Sequence, residues 1–83
     1  MLQVIVFKHA LKELLKHSVK NQQLIFDKIK DLGKGICIGD KPLQGKHKGK
    51  FRKRAGDYRI IYLRENDILL ITVIRVAHRR EAY

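Results

Sequence analysis

Apolar and polar positions alternate in two different periods along this chain, and the change of period divides it into elements. Leu2–Phe7 (Leu-Gln-Val-Ile-Val-Phe) is β-branched and aromatic, which predicts one strand. Ala10, Leu11, Leu14 and Leu15 then recur at helical spacing, with Lys12, Glu13 and Lys16 outside the apolar stripe. This predicts a short helix ending near His17-Ser18. A second helix is predicted from about Lys20 to Leu32, where Leu24, Ile25, Lys28, Ile29 and Leu32 share one side. Gly33 is its expected terminator, with Lys28 and Lys30 near the negative helix end. Two amphipathic helices in succession suggest a helical hairpin lying on a sheet.

The region from Gly33 to Gly49 holds most of the glycines and the single proline, so it is expected to be a loop, with Ile36, Cys37 and Ile38 tucked against the core. Strand spacing returns at Lys50–Ala55 and Tyr58–Arg64, separated by Gly56-Asp57 as a turn. Glu65-Asn66-Asp67 makes another turn. Ile68–Val76 is nearly all apolar, as a strand central to a sheet should be. The fold class read from this order is α+β: β-α-α-β-β-β, a two-helix hairpin packed on a small antiparallel sheet.

Length and charge narrow the class. With 83 residues the expectation is a single domain spanning 1–83. At 45% hydrophobic against 33% charged residues, a folded domain is favoured over disorder. There are 19 Lys+Arg against 8 Asp+Glu, a net charge of +11, and such a field attracts polyanions. Nucleic acid is the first candidate and an acidic protein the second. A membrane surface ranks last, because no basic helix carries large aromatic anchors. The basic centre lies in the second half, where Lys41–Arg64 contains a single acid, Asp57.

One cysteine, Cys37, precludes an intrachain disulfide, and the scattered His9, His17, His47 and His78 match no zinc spacing, so no metal site and no cofactor are expected. Cys37 reads as a small buried hydrophobe. No signal peptide or membrane-spanning run is apparent, and the expected location is the cytoplasm.

Candidate chemistry concentrates in two places. Alternation puts Arg52 and Arg54 on one face of their strand and Arg59 on the matching face of the next. Converging guanidiniums suit the oxygens of a phosphodiester; a solvated face pairing with Asp57, Glu65, Asp67 or Glu81 is the competing reading. The second place is His78-Arg79-Arg80 with Tyr83, at the exit of the last strand, where an imidazole is suited to proton transfer near neutral pH. Lys46, Lys48 and Lys50, with His47, form either a rim that tracks backbone phosphates or a solubilising surface. Tyr58 and Tyr62 alternate onto the face opposite Arg59 and are expected in the core. Lys53 falls on that same face, which suggests that the helices leave this point uncovered.

Three stretches together resemble the RelE/ParE superfamily of toxins from toxin–antitoxin modules, and more narrowly its RelE branch. They are Lys41-Pro42-Leu43-Gln44-Gly45, the Arg52-x-Arg54-x-Gly56-Asp57-Tyr58-Arg59-Ile60-Ile61-Tyr62 hairpin, and Val76-Ala77-His78-Arg79-Arg80-Glu81-Ala82-Tyr83. The resemblance covers nearly the whole chain in order. It implies two helices against an antiparallel sheet and a metal-independent endoribonuclease that cuts mRNA in the ribosomal A site. The implied partners are a cognate antitoxin protein that silences it, mRNA, and the ribosome with its 16S rRNA. Operator DNA is met only through the antitoxin, and no membrane is involved. The implied catalytic set is Arg52 and Arg54 holding RNA, Arg59 and Arg79 stabilising phosphate charge, Tyr83 orienting the base, and His78 in proton transfer. Two other functions stay open on the same resemblance: a ParE-like, non-enzymatic inhibitor of DNA gyrase, and an inactive module that binds antitoxin and DNA. The chain stops at Tyr83, which would put a terminal carboxylate beside this site.

Overall fold

The computed structural model describes residues 2–43, 49–78 and 80. Its elements are β1 (Gln3–Val6), α1 (Lys8–Leu15), α2 (Val19–Gly33), β2 (Lys41–Pro42), β3 (Lys50–Ala55), β4 (Tyr58–Glu65) and β5 (Leu70–His78). The five strands form one sheet in the order β1-β5-β4-β3-β2. The α+β class and the helical hairpin match the sequence reading. The sheet, however, is mixed: β1 runs parallel to β5, with Gln3 opposite Leu70, while every other pair is antiparallel. The long connection through both helices is what permits the parallel pair. The last strand is interior to the sheet, as its apolar run predicts: β5 lies between β4 and β1, and β4 is the middle strand of the five. Residues Ile71–Val73 are buried where β5 is flanked on both sides.

One face of the sheet carries the core. Tyr58, Ile60 and Tyr62 of β4 and Ile71, Val73 and Val76 of β5 pack with Ala10, Leu14, Ile25, Ile29 and Leu32 of the helices. Each fully buried large side chain here contributes about 1.5–3 kcal/mol. The burial of Tyr58 and Tyr62 agrees with their expected core position. On α1 the apolar stripe splits: Ala10 and Leu14 are buried, but Leu11 and Leu15 are exposed.

The helix ends follow from local chemistry. Ser18 Oγ accepts from the Asn21 amide at 3.3 Å and caps the start of α2. At the other end Gly33 is still helical, and the terminator is Gly35, two residues later. Its φ of 80° lets its own amide reach Leu32 O while the Ile36 amide reaches Asp31 O, both at 2.9 Å. The chain after it does not tuck in as a unit: Cys37 packs on the core, but Ile38 is 94% exposed. Three residues further on, β2 pairs with β3, Lys41 opposite Arg52 and Pro42 opposite Phe51. Proline is tolerated there because the strand is an edge.

Lys53 lies where the helices do not cover the sheet, as expected, yet it is not left open. It does face the core side, but it is only 4% exposed, so that point is covered. The cover is the loop after α2 rather than a helix. Lys53 Nζ donates to Ile36 O at 2.9 Å and to Asp40 Oδ1 at 3.3 Å, and Tyr62 donates its hydroxyl to Asp40 Oδ2 at 2.5 Å. At the far edge, Glu13 of α1 accepts from the Val76 amide at 3.1 Å and from Arg75 Nη2 at 2.9 Å. β1 ends at Val6, so Glu13 serves the part of β5 that β1 does not reach. Among the described residues, no helix is long and apolar enough to cross a membrane.

Candidate nucleic-acid interface

The face of the sheet opposite the helices collects positive charge through strand register alone. Arg54 lies directly opposite Arg59 across the β3–β4 pair, and Lys41 lies opposite Arg52 across β2–β3. Arg52 and Arg54, two apart on one strand, share a face. The two-residue turn between β3 and β4 has Gly56 at its first central position with φ 60°, the conformation a II′ turn requires there. A Cβ at Gly56 would also come within 2.9 Å of Leu24 Cδ2. Glycine thus fixes the register that sets Arg54 against Arg59.

Between these side chains is a cleft of about 230 Å³ lined by Gly39, Lys41, Arg52, Arg54 and Arg59. Arg59 is held at the turn, its Nη1 donating to Tyr58 O at 3.1 Å and to Gly56 O at 3.3 Å. Among the described residues, neither Arg54 nor Arg59 forms an ion pair, so the alternative of a face neutralised by neighbouring acids does not describe these two. Like charges placed directly opposite each other on a sheet are destabilising, by a few tenths to about 1 kcal/mol per pair. An anion in the cleft would reverse that sign.

Three of the expected site residues, Arg52, Arg54 and Arg59, therefore come together. Lys50 sits at the start of the same strand and on the same face as Arg52. His78 does not join them. It is paired with Tyr58, one residue out of phase with Arg59, and its ring meets the Tyr58 ring edge-on at 5.5 Å on the helix side of the sheet. There Tyr58 also accepts from Asn21 Nδ2 at 3.2 Å and lies 3.3 Å from His17 Nδ1. Arg79, Tyr83, Lys46 and Lys48 lie outside the described residues. Sequence reasoning missed Lys41 as a site residue, because the two-residue strand that delivers it carries no period; its signal was only its place beside Pro42.

Directly behind the cleft, the buried Asp40–Lys53 pair anchors the segment that supplies Gly39 and Lys41. Burial, followed by the hydrogen bonds and charges of Asp40 and Cys37, pushes the Tyr62 hydroxyl far above the ordinary tyrosine pKa, so it stays a donor. Arg64 Nη1 donates to Cys37 Sγ at 3.0 Å on the same loop. Among the described residues, no group of three or more His, Cys, Asp or Glu side chains is placed to hold a metal ion.

Residues 5–83 match the family model of the ParE toxin of the type II toxin–antitoxin system parDE. The chain belongs to this toxin family. No curated protein matches the sequence. Among solved structures, this ParE-family toxin is similar to a chain of the RelBE2 toxin–antitoxin complex from Mycobacterium tuberculosis. The identity is 25% and the TM-score 0.84, over 94% of this chain and 98% of that one. The archaeal RelE–RelB complex from Pyrococcus horikoshii matches at 22% identity and TM-score 0.77, covering 98% of both chains. A YoeB/ParE toxin from Agrobacterium tumefaciens matches at 15% identity and TM-score 0.78, over 93% of this chain and 98% of that one. RelE-type and ParE-type toxins thus share this fold, and the fold alone does not separate their activities.

Proposed function

We propose that this toxin is a ribosome-dependent mRNA endoribonuclease, restrained by a cognate antitoxin, whose substrate phosphate sits in the cleft of Lys41, Arg52, Arg54 and Arg59. The observation that carries the reading is the Arg54–Arg59 cross-strand pair, two arginines opposite each other at one cleft with no ion pair to either among the described residues. Such a pair suits a phosphodiester, whose oxygens accept from both forks. The partner follows by similarity, since relatives of matching fold are found as toxin–antitoxin complexes.

Cleavage by the neighbouring ribose requires the 2′-hydroxyl to lose its proton and attack phosphorus. The bond to the 5′-oxygen then breaks, and that oxygen takes up a proton. Fixed guanidiniums stabilise the extra negative charge at phosphorus as it develops. Arg59, restrained at the turn, is the residue best placed for this, with Arg52 and Arg54 holding the strand. Arg79 and Tyr83 complete the proposed site from the tail, while Lys46, Lys48 and Lys50 contact the flanking RNA, including ribosomal RNA. His78 serves as acid or base only if its ring crosses from Tyr58 to the arginine face.

That last condition favours a second reading, in which the same surface binds DNA gyrase without chemistry. Inducing the chain and mapping transcripts by primer extension separates the two. Cuts within codons in translated mRNA are expected. Intact transcripts with accumulating DNA breaks would exclude the nuclease and support the gyrase reading. The cleft itself is tested by RNA affinity against salt: Arg54→Ala and Arg59→Ala should each lower the salt slope by about one. Unchanged slopes in both would remove the cleft from the interface.

A further inference from the structure

The cationic cleft is made of two cross-strand pairs rather than one cluster. Lys41 stands opposite Arg52 across β2–β3, and Arg54 stands opposite Arg59 across β3–β4. All four line the same cleft. β3 gives one member to each pair, at positions two residues apart. The pairs are therefore offset by about 7 Å along β3 and about 5 Å across it. That offset is close to one nucleotide step of an extended single strand. The two pairs are also fixed independently. Arg59 is held by the turn carbonyls of Gly56 and Tyr58. Lys41 is set by its own strand: Asp40 before it is buried against Lys53, and the Leu43 amide after it donates to Lys50 O at 2.9 Å. Lys41 itself is exposed and, among the described residues, forms no ion pair.

We infer that the Lys41–Arg52 pair is a subsite of its own, which takes the phosphate next to the one held by Arg54 and Arg59. The ligand of the cleft is then two consecutive phosphates of an extended single strand. This assignment rests on the RNA reading proposed above and adds to it a second contact, one step away from the bond that breaks. Charge and geometry separate two phosphates from one. A phosphodiester carries a single negative charge, and two arginine forks already satisfy its free oxygens. A lone phosphate between Arg54 and Arg59 would leave Lys41, opposite a further arginine, without an anion. A second phosphate one step along supplies it, and the ammonium meets it as a point charge.

The probes are a 2′-O-methyl uridine trinucleotide, with two phosphodiester linkages, and the matching dinucleotide, with one. Neither can be cut, because the attacking hydroxyl is blocked. Binding to the full chain at low salt is read by NMR titration. Lys41→Ala should weaken the trinucleotide by about fivefold or more and the dinucleotide by less than about twofold. Lys41→Arg should keep the trinucleotide within about twofold of the parent chain, and Arg54→Ala should weaken both probes. A trinucleotide with one methylphosphonate linkage has the same length and half the charge, and should lose its sensitivity to Lys41→Ala. Circular dichroism should be unchanged in each variant. Equal weakening of both probes by Lys41→Ala, or undiminished sensitivity of the methylphosphonate, overturns the proposal. So does a Glu-Ser-Glu peptide that binds as tightly as the trinucleotide, since the pairs would then suit carboxylates as well. If induction leaves transcripts intact while the probes behave as expected, the nuclease reading fails and the two-phosphate site stands. If transcripts are cut while Lys41→Ala weakens both probes alike, the subsite fails and the nuclease reading stands.

Discussion

Replacing Asp40 with alanine tests how the cationic cleft is held. Asp40 and Lys53 side chains are each 6% exposed, and the same carboxylate accepts the Tyr62 hydroxyl. Removing it leaves an ammonium and a phenol facing each other in the interior, with Ile36 O the remaining acceptor for Lys53. Breaking a buried pair from one side costs about 3–5 kcal/mol. A domain of this length is stable by only about 4–12 kcal/mol. At about 4–8 °C per kcal/mol, the midpoint should fall by roughly 12–40 °C. Thermal and urea unfolding followed by circular dichroism provide the measurement. Replacing the set by apolar groups, Asp40→Leu with Lys53→Met and Tyr62→Phe, should recover most of the loss, because no charge is then stranded. A cost below about 1 kcal/mol for Asp40→Ala, or a triple variant no better than the single one, would refute the account. The cleft should respond as well: Lys41 follows Asp40 in sequence, so RNA affinity should drop in Asp40→Ala even where it remains folded.

Three other outcomes are expected. Gly56→Ala combines a φ of 60° with a 2.9 Å approach to Leu24, and should destabilise by about 1–2 kcal/mol or more in urea unfolding. Tyr62 has its pKa raised on folding by burial and by Asp40, so its contribution is complete below the unfolded tyrosine value of about 10 and is lost as pH rises past it. Stability should therefore decline above about pH 10, and Tyr62→Phe should flatten that decline in a pH series of urea midpoints. Glu13→Ala removes the acceptor of the Val76 amide and one partner of Arg75, and should cost about 1–3 kcal/mol by thermal unfolding, whereas Glu13→Gln should retain part of it.

Much of the fold was legible because its elements carry clean periods. Strand alternation alone placed Arg52, Arg54 and Arg59 on one face and Tyr58 and Tyr62 on the other. Alternation failed where register depends on a distant partner. His78 was assigned to the arginines by its position at a strand exit, but pairing with Tyr58 sets it on the helix face, and a register shift at Ile61/Tyr62 interrupts the count along β4 and β5. The parallel β1–β5 pair leaves no local mark, since it joins opposite ends of the chain. A two-residue strand such as β2 is too short to show a period, so Lys41 went unnoticed as a site residue. Lys53 was placed on the correct face, but its partner Asp40 lies on a loop whose path no pattern encodes. Helical spacing alone cannot tell which of two adjacent apolar stripes is buried, and on α1 only Ala10 and Leu14 are.

The pairing of β1 with β5 also governs when the protein becomes itself. During synthesis the segments of α1 and α2 emerge early, whereas the first strand must wait for β5 to emerge before the sheet can close around it. Closing so long a loop is slow relative to helix formation. Until then Val4, Val6, Ala10 and Leu14 have no sheet to cover them. A nascent chain thus lacks its closed sheet until β5 has left the ribosome, and any partner that recognises the α1 segment alone meets it before the cationic cleft can exist.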